Sequence, residues 1–110
     1  MERRIINPWE WQQELGFVQA NDLMGVKRMV FCAGQVSVDS EGNPLHPGEM
    51  IPQLLQALDN LETVLQEAGV KLADVVRLNY YTTDIPAFRQ AEPVLKERLE
   101  RSGCHPVSTL

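Results

Sequence analysis

The chain has 110 residues, 44% hydrophobic and 23% charged, a length that supports one packed domain and not two. Its formal charge is -5 and its pI about 4.9. The ten Lys and Arg are scattered among fifteen acids, so the basic stripe of a nucleic-acid binder is missing. No apolar run is long enough to span a bilayer, and Met1 to Pro8 carries two arginines with no apolar stretch behind them. Neither a membrane span nor a signal peptide is expected, and the predicted location is the cytoplasm.

In chain order, Leu15 to Met24 predicts a short strand and a turn that closes at Gly25. Val26 to Val38 predicts a long strand, rich in β-formers at Met29-Val30-Phe31-Cys32 and bent at Gly34. A glycine inside a strand marks either a bulge or a close approach by another backbone or a ligand. Asp39-Ser40-Glu41-Gly42-Asn43-Pro44 is a dense turn signal.

The next segment has the plainest helical period. Apolar residues recur at Ile51, Leu54, Leu55, Leu58, Leu61, Val64, Leu65 and Ala68, in steps of three and four. Pro52 is tolerated only in the first turn, which places the start between Gly48 and Ile51. Gly69 stands where a left-handed C-terminal cap belongs. Val75 to Thr83 predicts a strand. Val76, Leu78, Tyr80 and Thr82 form its core face, while Val75, Arg77, Asn79 and Tyr81 are left for a partner subunit or a cavity. Asp84 caps a second helix, with Pro86 in its first turn and a stripe of Phe88, Ala91, Val94, Leu95 and Leu99. Pro93 inside it implies a local kink, and Gly103 ends it. Lys96-Glu97-Arg98-Leu99-Glu100-Arg101 alternates in sign and reads as a solvated helix face. Cys104 to Leu110 opens a last strand.

The order strand, strand, helix, strand, helix, strand predicts an α+β domain with two helices on one face of a mixed sheet. The other face is left bare, and oligomerisation is the usual way to cover it. Cys32 and Cys104 lack the spacing of a zinc site or a CxxC motif, so both are expected as free thiols in a reducing cytosol. Cys32 in an apolar strand reads as a buried core residue in preference to a nucleophile. His46, in a Pro-rich turn, reads as solvent-exposed. His105, beside Pro106, is the histidine better placed to touch a ligand.

Four stretches together resemble the Rid/YjgF family, the reactive intermediate deaminases. They are Gly16-Phe17-Val18-Gln19, Cys32-Ala33-Gly34-Gln35, Gln56-Ala57-Leu58-Asp59-Asn60-Leu61, and Leu72-Ala73-Asp74-Val75-Val76-Arg77 leading into Tyr81-Thr82-Thr83-Asp84. The resemblance implies a chorismate-mutase-like fold and a homotrimer with the sheets as an inner barrel. Clefts between neighbouring subunits then bind small carboxylates. It implies water attack on an enamine or imine, releasing ammonia and a 2-oxo acid, with no metal or organic cofactor.

By that resemblance the ligand-binding positions are Phe17, Ala33, Gly34, Glu92 and Ser108. Several depart from the family pattern. Ser108 stands two residues after Pro106, where deaminating members carry a carboxylate-clamping arginine, and a hydroxyl supplies neither charge nor a bidentate fork. Phe17 lacks the hydroxyl of the usual tyrosine. Glu92 is an acid where many members have an amide, with an exposed helix residue as the plain alternative. The family's final strand, with its glutamate, would follow Leu110, so residues 1 to 110 are expected to form one domain short of that strand. Three functions compete: an imine or enamine hydrolase with altered recognition, a metabolite-binding trimer without chemistry, and an RNA-directed endoribonuclease or translation inhibitor. The acidic pI stands against the third.

Overall fold

In the computed structural model, which describes residues 1–110, pairing begins earlier than the sequence predicts. Glu2–Ile6 forms strand β1, antiparallel to β2 at Ala20–Met24, with Arg3 opposite Leu23 and Ile5 opposite Asn21. Nothing in Glu-Arg-Arg-Ile-Ile looks like a buried strand, because this one is an edge that keeps its charges in water. A 3₁₀ turn at Trp11–Leu15 precedes the stretch predicted as strand and takes its first residue, and the strand itself starts only at Ala20.

Helix α1 spans Met50–Glu67 and starts where Pro52 requires. It ends in a glycine-closed cap: Gly69 has φ 76°, and the Val70 N–H returns to the Leu65 carbonyl at 2.9 Å. Helix α2 spans Ile85–Arg101 and runs on through Pro93. Asp84 caps it, its carboxylate accepting from the Ala87 N–H at 3.1 Å. Between the helices β3 is short, Arg77–Asn79, and it pairs in parallel with β4 at Val107–Thr109.

The architecture is α+β, but the hydrogen-bonded strands make two two-stranded ladders instead of one continuous mixed sheet. Side chains and one main-chain bond join them. The Val18 N–H donates to the Pro106 carbonyl at 2.9 Å. The Arg3 guanidinium donates to the carbonyls of Ala73, Val75 and His105, and the Asn21 amide to those of Val76 and His105. These bonds satisfy carbonyls where the ladders meet; of them, only that of Val76 also accepts a main-chain bond, from the Val107 N–H at 3.0 Å.

The core is a single cluster of Leu58 and Leu65 from α1, Phe88, Leu95 and Leu99 from α2, with Leu72 and Cys104. Leu78 and Tyr80 of the predicted core face pack on it, and so does Val75, which the alternation had assigned to the opposite face. The solvated reading of Lys96 to Arg101 fails at Arg98 and Leu99, both of which are buried. Arg98 donates to Asp59 at 2.9 Å and Glu62 at 3.0 Å, tying α2 to α1. Burial alone opposes its charge, but the hydrogen bonds it donates to Glu62 and Asp59, with their negative charges, outweigh that and leave its pKa raised.

The largest correction concerns Val26 to Val38. Only its end is fastened, in a bridge between Val38 and Pro44. From Val26 to Gln35 no main-chain group is hydrogen-bonded to another. Arg28 reaches the Ala68 carbonyl at 2.7 Å, and the Asn60 amide donates to the carbonyls of Val36 and Val38, so the segment lies along α1. Its residues have strand propensity, but a strand exists only where a neighbouring ladder accepts its bonds. Cys32 is accordingly exposed and not a core residue.

Candidate functional site

Phe17 follows the 3₁₀ turn and meets Trp11 edge-on, ring centroids 5.9 Å apart. The bond from Val18 to Pro106 brings this corner beside β4. Ser108 sits in β4 opposite Leu78. Paired residues in a ladder present their side chains to the same face, so Ser108 turns with Leu78 towards the helices. Glu92 is not the exposed helix residue of the plain reading. It is buried on α2 and ion-paired with Arg89, one turn earlier. That pairing neutralises the charge the acid would bring to a site for anions.

Ala33 and Gly34 lie on the unpaired segment and are exposed. A Cβ added at Gly34 would meet nothing within 4 Å, so in a single chain this glycine is neither a ladder bulge nor a close approach. No hydrogen bond or ion pair links Phe17, Ala33, Gly34, Glu92 and Ser108 to one another. Phe17 and Ser108 share the β4 corner, while Ala33 and Gly34 sit on the segment beside α1.

Of the remaining reactive groups, Cys104 is buried, and burial pushes its thiol from 9.0 up to about 11, with Arg3 pulling the other way. It stays neutral at pH 7 and is a poor nucleophile. Burial, then the neighbouring Cys104, raises the Tyr80 hydroxyl well above its usual range. His46 and His105 are both exposed, and the structure uses the His105 carbonyl, not its ring, to hold Arg3 and Asn21. The polar face of the Arg77–Asn79 strand is open: Arg77, Asn79 and Tyr81 are exposed, as the alternation predicts.

Two structural residues lay outside the sequence reading. Arg98 had a signal, since it falls on the same helical stripe as Ala91, Leu95 and Leu99. Arg3 had none, because its partners are main-chain carbonyls some seventy to a hundred positions away.

A family model described as Endoribonuclease L-PSP matches residues 12–110. The chain belongs to this family, the Rid/YjgF group. A RutC family protein of Pyrococcus abyssi is 32% identical over 72 residues, which is 66% of this chain and 57% of that protein. A 2-iminobutanoate/2-iminopropanoate deaminase of Capra hircus is 30% identical over 77 residues, 70% of this chain and 56% of the deaminase. The chain thus matches just over half the length of these Rid/YjgF relatives. The crystal structure of the Rid family protein YyfB of Yersinia pestis superposes with a TM-score of 0.81 at 32% identity, covering 99% of this chain and 83% of that one. No helix of this Rid/YjgF chain is long and apolar enough to cross a membrane.

Proposed function

We propose that the protein is a small-molecule-binding member of the Rid/YjgF family, a cytoplasmic homotrimer with clefts between subunits that take small carboxylates. The observation that carries this reading is family membership over residues 12–110. The open sheet face supports assembly. Arg77, Asn79 and Tyr81 are uncovered in the single chain, and Tyr81 is 91% exposed. Light scattering at micromolar concentration tests the assembly, and a monomer there sinks the trimer.

Relatives named as deaminases of 2-iminobutanoate and 2-iminopropanoate make imine hydrolysis the reaction to test first. A charged, bidentate hydrogen bond is worth about 1.5–3 kcal/mol, so its absence at Ser108 lowers turnover roughly ten- to a hundredfold. Ammonia release from 2-iminobutanoate is therefore expected to run at roughly 1–10% of the rate of a relative with the arginine. Equal rates would overturn the reading of Ser108 as a lost clamp. No ammonia, with the 2-oxo acid still bound, would mark a metabolite-binding protein without chemistry.

A further inference from the structure

Met29 to Gln35 carries main-chain groups that no other main-chain group of the chain meets. The only bond to any of them is at the Ala33 carbonyl, which accepts from the Gln35 side-chain amide at 3.3 Å. None of these residues is charged and none is proline, and Met29, Val30 and Phe31 are exposed. Both ends of the stretch are fastened to α1, through Arg28 at the Ala68 carbonyl and through Asn60 at the Val36 and Val38 carbonyls. Gly34 adds a second observation. Its φ is not positive, and an added Cβ would meet nothing within 4 Å. Neither a turn nor any neighbour in its own chain requires a glycine there.

We propose that Met29 to Gln35 is an edge that pairs with the same edge of a second copy of this chain, antiparallel and centred on Cys32. Only in that register does the whole uncharged, unbonded stretch meet itself. Phe31 then stands opposite Ala33 of the second copy and Val30 opposite Gly34, so each large side chain meets a small one. That gives Gly34 its reason, a close approach by the second copy. A shift of the centre by one residue towards the N-terminus would draw Arg28 and Lys27 into the ladder, opposite Gly34 and Gln35. A shift the other way would use Val36 and Ser37, whose carbonyls already accept from the N–H groups of Val38 and Leu45.

Charge selects the direction. Parallel, in-register stacking would lay Lys27 and Arg28 of one copy on those of the next, and like charges side by side repel. Antiparallel pairing sends them to opposite ends, with Lys27 opposite Ser37 and Arg28 opposite Val36. Each chain has a net charge of -5, yet neither brings a charge into the paired stretch, so the contact costs no repulsion where it forms. The pairing satisfies main-chain donors and acceptors on both copies at once, as an unpaired edge requires. It goes beyond the functional reading above and is independent of it. Arg77, Asn79 and Tyr81 belong to β3 and the residues just after it, whereas this edge lies along α1. A threefold contact through the β3 face leaves the edge free to join two such assemblies about a twofold axis.

Light scattering of the whole protein and of Phe31→Glu is the first test. The variant puts a carboxylate on each side of the twofold axis and should halve the mass. Phe31 is exposed, so the variant is expected to fold, and unchanged far-UV circular dichroism checks this. Six chains falling to three supports both the edge pairing and the trimer. Two chains falling to one supports the edge pairing and rejects the trimer. Equal masses overturn the edge pairing, whatever their value. The register is read by disulfide formation with diamide, which takes two electrons and two protons from a pair of thiols. Cys32 is exposed and falls on the axis, opposite itself, within the reach of a disulfide. The parent should run as a linked pair on a non-reducing gel, and Cys32→Ser should not. In the Cys32→Ser background, Met29→Cys alone should not link, because the two copies of position 29 lie roughly 20 Å apart. Met29→Cys together with Gln35→Cys should link. Linking by Met29→Cys alone would show parallel stacking and overturn the proposal.

Discussion

Leu99→Ala is expected to be the most damaging single core substitution, lowering stability by about 2–5 kcal/mol. Leu99 is 1% exposed, sits in the α2 stripe among Leu58, Leu65 and Leu95, and its carbonyl also receives the Cys104 N–H that closes the helix. Truncation removes apolar contacts and leaves a cavity under the cap, where the backbone has little freedom to collapse. A small domain holds only about 5–15 kcal/mol in total, so this loss is a large share. Urea unfolding followed by circular dichroism measures it. A drop below about 1 kcal/mol would show that the α1–α2 seam repacks freely.

The second large effect comes from stranding a charge instead of deleting one. The double variant Asp59→Asn, Glu62→Gln leaves the Arg98 guanidinium buried without a counter-charge, and about 3 kcal/mol of stability should be lost. Arg98→Met, which removes the buried charge and keeps an apolar stem, should cost much less, because Asp59 and Glu62 are partly exposed and are re-solvated once released. The asymmetry is the test. Equal losses in the two variants would mean that the ion pairs act as ordinary surface pairs, worth about 1 kcal/mol or less.

What the sequence made legible was local. Pro52, Gly69, Asp84 and Gly103 punctuate the two helices because helix ends are settled within a few residues. The β content was harder. Glu2–Ile6 carries too many charges to look like a strand and becomes one only because β2 is there to pair with it. Val26 to Gln35 has the composition of a strand and lacks the partner. Family resemblance named Phe17, Ala33, Gly34, Glu92 and Ser108, yet none of them shows its environment in one-dimensional order. Glu92 turned out to be neutralised by its neighbour Arg89, and Ser108 to share a face with Leu78.

Ten consecutive residues without main-chain bonds also set how long the molecule lasts. Met29, Val30 and Phe31 stand in water at 68%, 42% and 86% exposure, in a window rich in β-formers, free of proline and uncharged from Met29 to Gln35. Such a window is a template for cross-β stacking at high concentration, and Lys27 and Arg28 at its entrance are the gatekeepers that repel a second copy. Shelf life in solution should therefore follow charge more than melting temperature. Val30→Lys is expected to slow fibril formation, read by thioflavin fluorescence, with little change in unfolding, whereas Lys27→Ala with Arg28→Ala should hasten it. Equal lag times in all three proteins would clear the segment of that role.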